Sequence, residues 1–242
     1  EFLEKNKTGG KTIFLHSEIL DTPKSFVTFF DQGKTSREKV KTDLKLIKRL
    51  NVLHGGRIHL DPWAFITSDD KLLFEESSCY GKRPEEHWIF RKFKLDKVKR
   101  LKGKVLFLSC RKNYWHLLMD DIPTLFFLEQ AGIKISDFDF VICEKNQFQA
   151  AFELYEMSGI KSKKVVSLSE FRHFLCEELY FVTGTFALSP KSLIFTRRKV
   201  IGELEYVKTL NKGKKFIITR DDSPIRRWLN QNECTNKLSK LG

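Results

Sequence analysis

Apolar residues in the first hundred positions come in short bursts broken by turn-forming residues. The bursts at 12–16, 26–30, 57–60, 63–67 and 72–75 have strand length and strand composition. The stretch 36–50 reads differently. Val40, Leu44 and Ile47 form an apolar stripe at helical spacing beside Arg37, Lys41, Lys45 and Lys48, so a basic helix is expected there. From Val105 the pattern becomes a regular alternation. Strands are predicted over 105–109, 138–143, 164–166, 179–182 and 215–219, and helices over 114–131, 147–157, 190–210 and 230–241. Strands alternating with helices imply a parallel sheet with right-handed crossovers, in which ligands lie beyond the carboxyl ends of the strands. The expected fold is α/β with a Rossmann-like parallel sheet, preceded by a β-rich N-terminal region.

The helix over 114–131 carries the chemistry. The run Asn113-Tyr114-Trp115-His116-Leu117-Leu118-Met119-Asp120-Asp121-Ile122-Pro123 sets an amide, an imidazole and two carboxylates inside an apolar segment. Ionisable groups in such a segment need partners, because burying an unpaired charge is expensive. At about 100° per residue, Asn113, His116, Asp120 and Thr124 share one stripe, with Trp115, Met119, Ile122 and Phe126 opposite. Gly132 is placed to close the helix. Pro123 is incompatible with an unbroken helix, where it costs roughly 3 kcal/mol, so it marks either a kink or the start of a second helix.

Composition narrows the classes. At 242 residues with 41% hydrophobic content and 22 phenylalanines, the chain is long enough and apolar enough for a sizeable core. No apolar run reaches membrane-spanning length, and no signal peptide is evident. Cys79, Cys110, Cys143, Cys176 and Cys234 have no paired short spacing, which argues against a structural zinc site and against a disulfide scaffold. Cys110 and Cys143 read as buried thiols, and a reducing cytoplasm fits. The net charge is +13, and its densest block, 91–104, holds eight Lys or Arg. This block reads as a solvated face, as attraction to an anionic membrane at about 1 kcal/mol per basic residue, or as a nucleic-acid surface. With no helix-turn-helix, zinc finger or aromatic RNA-binding motif, nucleic acid is not an expected partner. A Gly-x-Ser-x-Gly elbow is also absent, which sets aside an esterase.

The pattern Asn113-Tyr114-x-His116-x-Leu118-x-Asp120-x-x-Pro123, followed by Leu125 to Gly132, resembles the signature of glycosyltransferase family 61. Phe216-Ile217-Ile218-Thr219-Arg220 and then Arg226-Arg227-Trp228-Leu229-Asn230 resemble a second family element, with Gln231 where the family has Glu. The segment from Phe148 to Ile160 resembles its helix ending in a Gly-Ile turn, and Ala64 to Leu73 its hairpin. The resemblance runs from Gly56 to Gly242. It implies a GT-B-type architecture with an incomplete second Rossmann domain, because such enzymes continue for about a hundred further residues. The implied divisions are 1–104 (β-rich region), 105–188 (Rossmann-like acceptor-side domain) and 189–242 (start of the nucleotide-sugar domain).

The resemblance implies a glycosyltransferase, or part of one, moving a sugar from a nucleotide-sugar to a surface polysaccharide or lipid-linked glycan. The alternative is a catalytically inactive remnant that binds glycan or a partner. Transfer needs a group to deprotonate or orient the acceptor hydroxyl and positive charge at the departing diphosphate. His116, Asp120 and Asp121 are candidates for the first role, with Asp120 as base or as the residue that orients His116. Arg220, Arg226 and Arg227 are candidates for the second, with Asn113 and Asn230 as further substrate contacts. No cofactor or metal is implied. Asp137-Phe138-Asp139 has metal-binding spacing but precedes a strand, so it reads as a loop. The expected location is cytoplasmic, with peripheral contact at the inner face of the cell membrane.

Overall fold

The structure, a computed structural model, describes residues 3–5, 10–20, 25–31, 34–40, 44–60, 62–77, 83–108, 114–143, 149–161, 164–167, 170–184, 189–202 and 229–240. The chain divides into two compact units, Glu1–Gly202 and Glu203–Gly242. The expected divisions at 104 and 188 both fall inside the first unit.

That unit is mixed α/β. Its N-terminal strands are β1 (Leu3–Lys5), β2 (Gly10–Leu20), β3 (Ser25–Asp31), β4 (Lys34–Val40), β5 (Leu44–His54), β6 (Arg57–His59) and β7 (Ala64–Ile66). Then follow β8 (Val98–Phe107), α1 (Tyr114–His116), a π-helical turn (Leu117–Asp121), α2 (Ile122–Gln130), β9 (Phe140–Cys143), α3 (Gln149–Met157), β10 (Val165–Ser167), β11 (His173–Gly184) and α4 (Pro190–Ile201). In the second unit the described residues hold α5 (Gln231–Ser239), opened by Asn230. Among the described residues no helix is long and apolar enough to cross a membrane.

The open sheet runs in the order β1-β2-β5-β11-β8-β9-β10. The four strands from β11 to β10 are mutually parallel, while β5, β2 and β1 continue the sheet antiparallel. The N-terminal strands β1, β2 and β5 are therefore part of the same sheet, and β3 and β4 form a hairpin apart from it. The parallel order β10-β9-β8-β11 is compatible with a Rossmann-like fold. From β8 the chain steps outward to β9 and β10, then returns to the other side of β8 as β11. The carboxyl ends of β8 and β11 thus flank the point where strand order reverses, the usual ligand position in such sheets.

The stretch 36–50, expected to be a helix, is instead occupied by strand β4, which ends at Val40, and strand β5, which starts at Leu44. Leu44, Leu46, Leu50 and Val52 also recur at a period of two, and β5 is hydrogen-bonded on both sides, to β2 and β11. Two full ladders of backbone hydrogen bonds outweigh the weak preference a helical stripe expresses. The strand expected over 179–182 is the central part of β11, which starts at His173 and closes at Gly184.

The helix over 114–131 forms with a fault in it. The Ile122 N–H donates to the carbonyl of Leu117, five residues back, which is the π-helical bond. The fault directly precedes Pro123, which lies in the first turn of α2, where its missing N–H does least harm. Of the two readings of Pro123, the start of a second helix is the one observed, with α2 opening one residue earlier at Ile122. Gly132 closes α2 at a φ of 74°, with Ile133 N–H returning to the Leu128 carbonyl at 2.9 Å. Beneath the helix, Leu117, Ile122, Leu125 and Leu128 join Leu106, Leu108, Val141 and Ile142 of the sheet in the core. On its far side α2 meets α4, where Phe126 and Phe195 rings lie 5.7 Å apart and Lys199 pairs with Glu129 at 3.5 Å. This double cover explains why α2 carries apolar residues almost all round.

Candidate active site

The π turn sets where the polar side chains of this segment point. His116 closes α1 just after the carboxyl end of β8, and Asp120 lies within the turn. Their side chains meet, with His116 Nδ1 2.6 Å from Asp120 Oδ2. Both are about one-fifth exposed, at 20% and 18%. The contact makes the Nδ1–H tautomer the stable neutral form, so the lone pair sits on Nε2. Thr124 Oγ1–H donates to the Asp120 carbonyl at 2.8 Å, which continues the expected polar stripe. Trp115, assigned to the opposite and buried side, is 47% exposed and lies edge-on to the His116 ring at 5.0 Å.

Asp121 goes the other way. It is 1% exposed and accepts a hydrogen bond from Tyr155 Oη of α3 at 2.9 Å. Asp121, expected beside Asp120 as a catalytic carboxylate, thus lies in the core and outside the His116–Asp120 contact. One residue further along the turn, its side chain rotates into the core and ties α3 to the helix.

Lys48, which the sequence reading placed on a basic helix, is the charged residue that reading missed. It lies on β5 opposite Gly184, the last residue of β11, and so at the same end of the sheet as His116. It shares its face of β5 with Leu50 and Val52, both buried. Its ammonium sits 5.7 Å from the centre of the Phe127 ring on α2. Burial draws its pKa below the usual lysine value, and the Asp120 carboxylate opposes that shift. Asp120 thus feels an imidazole from its own helix and an ammonium from the sheet. The signal was present in the sequence, since Lys48 interrupts the apolar alternation of Leu46, Leu50 and Val52.

Asn113, Arg220, Arg226 and Arg227 lie outside the described residues. Asn230 is exposed and belongs to the second unit, where it precedes α5. Asp137 and Asp139 are occupied by backbone. Asp137 accepts from the Lys134 N–H and Asp139 from the Lys104 N–H, each at 2.9 Å. Among the described residues no group of three His, Cys, Asp or Glu is arranged to hold a metal ion. Cys143 and Cys176 are buried free thiols, and burial pushes Cys176 up to about 12.

A partly exposed imidazole, oriented at Nδ1 by a carboxylate, can accept a proton from a bound hydroxyl at Nε2. The pair lies where strand order reverses, beside the ends of β8 and β11. No protein-family model, curated protein or solved structure matches this chain.

Proposed function

We propose that the chain is a glycosyltransferase of GT-B-type architecture, or the acceptor-side part of one. It would move a sugar from a nucleotide-sugar to a growing surface polysaccharide or lipid-linked glycan. The observation that carries this reading is the His116–Asp120 pair, partly open to solvent at 2.6 Å and set at the reversal of strand order. The order of motifs that resemble glycosyltransferase family 61 supports it.

In this reading the acceptor hydroxyl binds beside His116. Its oxygen attacks the anomeric carbon, the bond from that carbon to the diphosphate oxygen breaks, and the electron pair leaves with the diphosphate. The hydroxyl proton passes to His116 Nε2. Asp120 holds the ring by Nδ1 and stabilises the imidazolium that forms, which makes it a positioning residue. Asn113 and Asn230 are assigned to substrate, and Arg220, Arg226 and Arg227 to the diphosphate, as the resemblance implies.

The test is release of nucleoside diphosphate from a panel of nucleotide-sugars in the presence of glycan acceptors. His116→Ala and Asp120→Asn should each lower the rate by about 100-fold or more while the variants remain folded. Unchanged rates in both variants would refute the site. Neither turnover nor calorimetric heat with any donor would refute transfer and favour the inactive, glycan-binding alternative.

A further inference from the structure

Phe93 has a relative exposure of 107%, so its ring stands entirely clear of the protein, and Phe90 is 61% exposed. The local fold forces both outward. Pro84–Glu86 and Trp88–Arg91 are tight 3-10 turns, the second opened by His87, whose Nδ1 accepts from the Ile89 N–H at 3.4 Å. Ile89 is buried against Ala64 and Ile66, with Trp88 and Leu95 packed on the same cluster. Those three residues anchor the segment and leave the two phenylalanines on its outer side. Arg91, Lys92 and Lys94 surround Phe93 and are exposed, and Lys97, Lys99, Arg100, Lys102 and Lys104 follow, also exposed. The one acid among them, Asp96, is engaged by Lys92 at 3.0 Å and by His59 at 2.7 Å.

We infer that this tip is a docking surface for an anionic lipid bilayer, with Phe90 and Phe93 entering the headgroup–acyl boundary and the surrounding lysines and arginines held at the lipid phosphates. Fully exposed aromatic rings inside a cationic patch are costly in water and are expected where an apolar, negatively charged surface takes them up. Exposure selects the partner. Single-stranded nucleic acid and peptides are held in grooves, whereas the Phe93 ring stands clear of the protein and Phe90 is mostly exposed, and a fluid bilayer can receive both rings. The charge adds about fivefold in affinity for each basic residue that reaches the surface. The inference stands apart from the proposed reaction. It does bear on geometry, because Val98 opens β8 at the tip and Phe107 closes it near His116, about 30 Å away along the strand.

The test is cosedimentation of the chain with vesicles of phosphatidylcholine alone and of phosphatidylcholine with phosphatidylglycerol. The natural chain should bind the anionic vesicles at least about tenfold more tightly. The double variant Phe90→Ser, Phe93→Ser keeps every charge and should lose at least about tenfold on the anionic vesicles. Arg91→Gln with Lys94→Gln should lose affinity on anionic vesicles and leave the weak binding to neutral ones unchanged. Circular dichroism confirms the fold of each variant. Equal binding of the natural chain to both vesicles would overturn the inference, as would undiminished binding by the double phenylalanine variant. Tighter binding to a single-stranded polynucleotide than to anionic vesicles, lost in the same variant, would assign the tip to nucleic acid instead.

Discussion

His59 makes the first unit sensitive to mild acid. Its ring is fully buried, with Nε2 2.7 Å from Asp96 Oδ2. That contact makes Nε2 the protonated nitrogen of the neutral ring, and Nδ1 is left buried without a hydrogen-bond partner among the described residues. Protonating Nδ1 would create a second buried donor with nothing to receive it. Burial, then Lys92 and His173, pull the pKa from 6.5 down to about 4, and Asp96 only partly restores it. His173 is shifted the same way, with Nδ1 bonded to the Asp96 carbonyl at 2.9 Å and Nε2 buried without a partner among the described residues.

The unfolded chain takes up this proton near pH 6.5, the folded chain only near pH 4. Stability from His59 is therefore full above the first value and falls as the pH is lowered through the interval. By linkage the loss is about 2 kcal/mol at about pH 5 and about 3 kcal/mol at about pH 4. The variant His59→Gln keeps an N–H for Asp96 and cannot titrate. It should be less stable than the natural chain near neutrality, because the imidazole packs on Trp88 and His173 at 5.3 and 5.1 Å. Its stability should nevertheless decline less steeply with acid, narrowing the gap by about 3 kcal/mol at about pH 4. Urea unfolding followed by tryptophan fluorescence at stepped pH measures both curves. Parallel curves for the two proteins, or a His59 ring that titrates near 6.5 by NMR, would refute the reasoning.

Three further outcomes are expected. Lys48→Met removes a desolvated ammonium at nearly constant volume, so denaturant melts should show a gain of about 0.5–2 kcal/mol while sugar transfer falls; a loss of stability would mark Lys48 as a structural ion-pair partner. Gly103 takes a φ of 82° and any Cβ there would run into the Asp139 carboxylate, so Gly103→Ala should cost about 1–3 kcal/mol in the same assay. Tyr155→Phe takes a donor from buried Asp121 and should cost about 1–3 kcal/mol without changing the transfer rate; a large loss of rate would return Asp121 to the catalytic set.

Much of the βα half was legible because its signals are local. The apolar run before Gly132 specifies a helix and its end, and Pro123 specifies a break. That the break is a π turn was not legible, because Pro123 excludes a hydrogen bond without saying how the chain re-routes around it. The turn nevertheless decides the chemistry, since it sends Asp120 to His116 and Asp121 to Tyr155. The misread stretch is 36–50, where Val40, Leu44 and Ile47 fit a helical period and Leu44, Leu46, Leu50 and Val52 fit a strand. Only pairing with β2 and β11, distant in sequence, breaks the tie. Lys48 was hidden by the same ambiguity. On a helix it is one more solvated lysine, and on β5 it faces the core. The charge block at 91–104 was plain in the sequence, but the outward placement of Phe90 and Phe93 depends on Ile89 finding Ala64 and Ile66.

Two places in the first unit keep titratable groups at a local cost, and access distinguishes them. At one end of the sheet, His59, His173 and Asp96 clamp the segment before β8, and both rings are closed to solvent. Two buried neutral imidazoles tied to the exposed Asp96 add little stability over an apolar cluster, but they fix which partners meet. At the other end, the cost has several parts: a π turn, a half-buried ammonium, and a carboxylate shared between that ammonium and an imidazole. Apolar residues at 48 and 120 would pack β5 against the helix more stably. Bracing alone therefore does not account for the arrangement, and His116 remains open enough to be reached. Local rules broken together, at the reversal of strand order and with a route to solvent, support the proposed reaction site.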